Sequence, residues 1–149
     1  MKKSLAELTQ EIETLEAKID TLTKEQKAFI EIWCRAVARI HEAPSIPSYR
    51  HYSARQVLDY IECYFYSANV MINSESEQRY YSEEKIEVLQ KIETNGLDAL
   101  EQYQSMVKSL KSHINDELQN PTWNDWGGDY AARKAAKWVR EWKQQFLSN

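Results

Sequence analysis

Glycine and proline are scarce in this chain, three of each in 149 residues. A sandwich or barrel of many short strands needs frequent turn residues, and no stretch here sustains the apolar–polar alternation of a half-buried strand. Sheet architectures are therefore set aside. Cysteine is nearly absent: Cys34 and Cys63 lie on predicted helices among apolar neighbours, which reads as buried reduced thiols rather than a disulfide or a metal pair. No apolar run approaches the roughly 18 residues that a membrane span requires. Met1-Lys2-Lys3 leads into Ser, Glu, Thr and Gln rather than an apolar signal core, so the expectation is a cytoplasmic protein. Nor is there an excess of positive charge. Nineteen Lys and Arg against 23 Asp and Glu give −4, which argues against wholesale attachment to nucleic acid or anionic membrane.

What the chain does have is helical periodicity. Leu5, Leu8, Ile12, Leu15, Ile19 and Leu22 are spaced alternately three and four residues apart, and Phe29 continues the pattern. That is the seam of a heptad repeat. Ser4 and Glu7 form a capping box at its start. No glycine or proline interrupts it before Pro44, so one helix is expected over 4–43, a rod of roughly 60 Å. The seam is narrow up to Gln26. From Phe29 onward Ile30, Ile32, Trp33, Ala36, Val37 and Ile40 cover most of the circumference, as in a helix buried on most sides. The expectation is a coiled-coil extension over 1–28 running into a helical domain over 29–149. Leu5, Leu8, Ile12, Leu15, Ile19, Leu22 and Phe29 would then hold a homodimer. A parallel arrangement brings Glu11 opposite Glu16, a penalty of a few tenths of a kcal/mol that the apolar seam outweighs.

Connectors are expected near 44–52, with its two prolines, and near 120–129. Ser53-x-x-Gln56 opens a helix with Val57, Ile61, Tyr64, Phe65, Ala68, Met71 and Ile72 as its stripe, leaving Tyr60, Tyr66 and Val70 outside it. A polar break is expected over 73–78, with a continuous helix as the alternative; the next helix begins at Ser82 and stops at Asn95-Gly96. Leu97, Leu100, Tyr103, Val107, Leu110, Ile114 and Leu118 mark a further helix. A last one begins near Tyr130 with Ala135, Trp138, Val139, Trp142 and Phe146 inward. The fold class is all-α, about five helices in total.

Motifs for chemistry are few. His113 with Asp116 and Glu117 shares a helix face but lacks the further ligands of a metal site. No nucleophile elbow or P-loop is present, so no enzyme activity, cofactor or metal is expected. Gly127-Gly128-Asp129 before a helix is weak evidence for an anion cradle, and Asp129 as a cap explains it better. Two features point to partners instead. The last helix carries Arg133, Lys134, Lys137, Arg140 and Lys143 against Glu141, a face able to meet phosphates or an acidic protein surface. Trp123 and Trp126 stand in a polar Pro/Asn/Asp/Gly loop without helical companions, as do Tyr49, Tyr52, Tyr80 and Tyr81 in or beside polar connectors, where aromatic residues either anchor an interface or lid the end of a core. The functional expectation is a non-enzymatic protein-interaction module of adaptor, inhibitor, immunity or anti-defence type. The alternative is a nucleic-acid-associated regulator using the basic last helix.

Overall fold

The computed structural model describes residues 2–67, 69–120 and 126–147. Among them the chain forms six α-helices: α1 Leu5–Lys18, α2 Lys24–Glu42, α3 Ala54–Tyr64, α4 Glu75–Asn95, α5 Ala99–Leu118 and α6 Gly128–Leu147. Two short 3-10 helices, Ala43–Ser45 and Pro47–His51, join α2 to α3. The starts are set locally. Ser4, Thr23 and Ser53 each accept the amide of the residue three positions on, and Glu7, Gln26 and Gln56 reach back to the cap amides at 3.2, 2.8 and 2.9 Å. Ser74 accepts the Glu77 amide at 3.0 Å. Gly96, at φ 81, closes α4 in a conformation that disfavours any side chain.

The expected rod over 4–43 is broken. The chain leaves the helix at Ile19 (φ −115, ψ 79) and restarts at Lys24. Asp20, Thr21 and Thr23 are poor helix formers, and Thr23-x-x-Gln26 is a capping box as good as the one at Ser4. Reversing here, α1 and α2 lie along opposite directions of one helix, α4. The Arg79 guanidinium donates to the Lys3 carbonyl and Lys18 lies 3.8 Å from Glu93, so α1 runs with α4. Arg39 meets Glu77 and Glu31 meets Lys85, so α2 runs against it. The coiled-coil extension is thus corrected. Leu8, Ile12, Leu15 and Ile19 are buried in the same core as the rest of the chain, with Leu5, Leu22 and Phe29 packed partly buried against it. α4 supplies the missing apolar face, and lying along two helices it buries Val88 as well as Ile86, Leu89 and Ile92.

Two further boundaries move. α3 ends at Tyr64, so the expected stripe stops short of Met71, which is exposed. Phe65 turns in against Trp33, ring centroids 6.0 Å apart, and Arg35 holds the Val70 carbonyl at 3.0 Å, fixing the segment without helix. α4 begins at Glu75 rather than Ser82, because Ser74 caps it and Glu75 and Glu77 favour the positive end of its dipole. Ser82 is a buried mid-helix residue. The other half of the molecule packs α6 on α3, α5 and the 3-10 segment, with α2 touching both halves.

Charge enters this core at α4. Glu84, 2% exposed, accepts from Trp33 Nε1 at 2.9 Å and from Lys143 Nζ at 2.6 Å, and Lys143 also reaches Glu87 at 3.1 Å. Burial pushes the Glu84 carboxyl above its ordinary value despite the ammonium beside it. Burial works the other way on Lys143, but Glu84 prevails and raises the lysine. Nearby, burial disfavours the Glu31 carboxylate, yet hydrogen bonds from Tyr81 and Arg35 and the charge of Lys85 hold it below its usual range. The Tyr103 hydroxyl is buried without a partner among the described residues, a cost of packing its ring on Trp33 at 5.2 Å.

Removing one member of a buried ion pair strands the other, at a cost of about 3–5 kcal/mol. Lys143→Met should lose that much in urea unfolding, and adding Glu84→Gln should recover most of it. The pH signs follow. Glu84, raised, favours folding most below its unfolded value and less as pH rises through its folded one. Lys143, also raised, contributes fully below about pH 10.4 and is lost as pH climbs through its folded value, so the wild type should weaken at alkaline pH more than Lys143→Met. A single variant as stable as wild type would show that the pair does not hold α6.

Candidate functional site

Gly128 is buried where α6 begins, and the reason is tertiary. A Cβ there would stand 2.3 Å from the Tyr49 carbonyl oxygen, 2.6 Å from Val57 and 2.8 Å from the Tyr52 carbonyl oxygen. Its amide donates to the Tyr52 carbonyl at 2.9 Å, and the Ala54 amide donates to the Trp126 carbonyl at 3.3 Å. Ser53 and Gly127 form an isolated antiparallel bridge between them. The glycines therefore hold the start of α6 against the 3-10 segment and α3, backbone to backbone, instead of forming a flexible hinge or an anion cradle.

Aromatic rings gather around this seam. Tyr49 is buried, its hydroxyl 2.5 Å from that of Tyr64, and burial with that contact pushes its phenol up. Tyr60 stacks parallel to Tyr49 at 6.5 Å and half-buried Tyr52 lies 5.8 Å from Tyr60. Across the seam, half-buried Trp126 meets Tyr130 edge-on at 4.6 Å, with the Lys134 ammonium 5.8 Å over its ring. The outermost rings are the most open: Tyr60 is 46% exposed and Tyr130 44%. Their inner neighbours lock them in place, so the surface offers large apolar area with little side-chain freedom left to lose.

The residues singled out in the sequence separate. Trp126 belongs to this surface, whereas Trp123 lies outside the described residues. Arg133 and Lys134 flank it; Arg133 pairs with Asp129 at 3.2 Å. Lys137 lies 3.9 Å from Glu141, an exposed pair worth little. Arg140 is exposed farther along, beside a surface groove of about 410 Å³ shared with Tyr80 and Lys91. Lys143 points into the core. The exposed basic face of α6 therefore shortens to Arg133, Lys137 and Arg140. Tyr49 and Tyr52 carried a signal in the sequence as aromatics of a polar connector, whereas Tyr60 and Tyr130 were not singled out as partner contacts. Tyr60 did carry a signal, since it falls off the apolar stripe of α3; Tyr52 and Tyr130 owe their place to the Ser53–Gly127 bridge.

The remaining candidates stay apart. Cys34 is buried, but Cys63 is exposed, on the outer side of α3, contrary to expectation. His113 sits edge-on to Trp138 at 4.4 Å, with Glu117 3.7 Å from Nε2. Among the described residues no three His, Cys, Asp or Glu side chains converge to hold a metal, and no helix is long and apolar enough to cross a membrane. Comparison with family models, curated proteins and solved structures finds no match.

The glycine contacts give a direct check. Gly128→Ala should cost about 1–3 kcal/mol or more by overpacking against fixed carbonyls. Gly127→Ala should cost much less, because its close contact among the described residues, at 2.9 Å, is the Asp129 carboxylate, which can rotate away. Denaturant melts of both variants decide it; equal losses would contradict a backbone-locked junction.

Proposed function

We propose that this chain is a non-enzymatic protein-interaction module, an adaptor or inhibitor, whose partner docks on the aromatic surface at the junction of the 3-10 segment, α3 and α6. The observation that supports this reading is the pair of open rings, Tyr60 and Tyr130, each backed by a packed ring and carried on a junction fixed by backbone hydrogen bonds. Tyr and Trp are the residues in which binding energy concentrates, when they stand rigidly at the centre of a contact. Such rings have no role in the interior packing that would account for their exposure.

The heptad seam lends no support to a homodimer through residues 5–29, since its side chains already pack within the chain. A nucleic-acid-associated role for α6 would draw on Arg133, Lys134, Lys137 and Arg140; Lys134 lies over the Trp126 ring and the chain's net charge of −4 disfavours a general polyanion site, so protein is the better-supported partner.

Tyr60→Ala and Tyr130→Ala should keep the wild-type melting temperature while weakening capture of the partner by about 2 kcal/mol or more each. Affinity capture from source-cell lysate, with binding then measured on the purified partner, reads the effect. Capture unchanged in both variants would refute the assignment of the surface.

A further inference from the structure

We infer that the α1–α2 hairpin opens at residues 19–23 and that α1 then covers α4 of a second copy of this chain, giving a dimer by exchange of α1. What α1 touches carries the argument. It lies along α4 and along no other helix. The polar contacts across that face join Arg79 to the Lys3 carbonyl and Lys18 to Glu93. Among the described residues no hydrogen bond or ion pair runs from α1 to α2, its neighbour in the chain. A cavity of about 300 Å³, lined by Glu16, Leu22, Lys27, Ala28, Ile30 and Leu89, opens between them instead. α1 is thus tied to the rest of its own chain by a short turn and by an apolar face that a second copy offers equally well.

The turn itself is lightly held. Asp20, Thr21 and Thr23 are exposed, and the Thr23 cap with Gln26 is its main fixture. No glycine or proline stands between Ser4 and Ala43, and Leu15, Ile19 and Leu22 keep helical spacing through it. Straightened, the segment extends α2 into one helix over 5–42 and gains helical hydrogen bonds that the turn lacks. Exchange gives up a cap and a few turn contacts while the α1–α4 face is kept whole, which is the condition under which a short hinge swaps.

The helix directions close the dimer. α1 runs with α4 and α2 runs against it. A straightened helix therefore runs against its own α4, and its α1 half lies with the α4 of the other copy only if the two long helices are antiparallel. A two-fold axis near residue 21 produces that arrangement, and each copy fills the other's face with no open end left to build a fibre. The Tyr60 and Tyr130 surface belongs to the other half of the molecule, so the exchanged dimer carries it twice, and binds a repeated partner with avidity.

A chain's own α1 is always near at hand, so the closed monomer prevails in dilute solution, and exchange needs high concentration or a weakened turn. Light scattering on the full chain tests this in two arms. One is wild type refolded from urea at about 1 mM, the range of effective concentration that a short linker gives its own end. The other combines Asp20→Ala, Thr21→Ala and Thr23→Ala, which removes the α2 cap and favours helix through the turn. Each should show the mass of two chains. Adding Lys24→Pro should return the triple variant to monomer, since proline suits the first position of α2 and not a helix interior. To identify the contact, Lys18→Cys and Glu93→Cys are placed on separate chains that lack the exposed thiol through Cys63→Ser. The two are refolded together and treated with a short bismaleimide, and a dimer linked between them is the expected product. Monomer in both arms, or a dimer without that link, would overturn the inference.

Discussion

A carboxylate sealed from water must be answered by hydrogen bonds, and the answer fixes which elements can lie beside it. Glu84 receives one from Trp33 on α2 and one from Lys143 on α6, so three helices distant in sequence are tied at one point of α4. Apolar packing alone would let α6 slide or rotate on its neighbours with little penalty. A buried pair with a direction does not. Its net worth is small, because desolvation offsets most of the attraction, yet misplacing either member is expensive. The node therefore contributes more to a single arrangement than to total stability.

That arrangement bears on function through α6, which is held at both ends. Near its end Lys143 reaches Glu84 and Glu87; at its start Gly128 is pressed between the Tyr49 and Tyr52 carbonyls. The aromatic surface sits on the second anchor. Rings mounted on a junction fixed in this way would lose little entropy on meeting a partner, so a few tyrosines could suffice for the proposed docking. The α1–α2 hairpin plays a different part: it closes the other side of α4, burying the apolar face that would otherwise invite association.

Much of this was legible in the sequence, and the failures have physical causes. Capping boxes at Ser4 and Ser53, the stop at Gly96 and the α5 stripe depend on neighbours a few residues away, and they were readable. The break at Ile19 was also written locally, in Thr23-x-x-Gln26, but an unbroken seam and the lack of glycine hide it. A heptad period identifies an apolar face and not its occupant, so α4 and a second copy look alike from the repeat. Lys143 reads as one more cation on a basic helix until Glu84, 59 positions away, is brought against it. Gly128 likewise depends on carbonyls of a remote segment that no local pattern announces.

A partner docked as proposed covers the junction of the 3-10 segment, α3 and α6. Amide hydrogen exchange of the chain, alone and saturated with its captured partner, tests it most directly. Slowed exchange over residues 50–60 and 126–134, with α1 and α4 unchanged, is the predicted result. Protection confined to α4 and α5, with the junction exchanging as before, would contradict it.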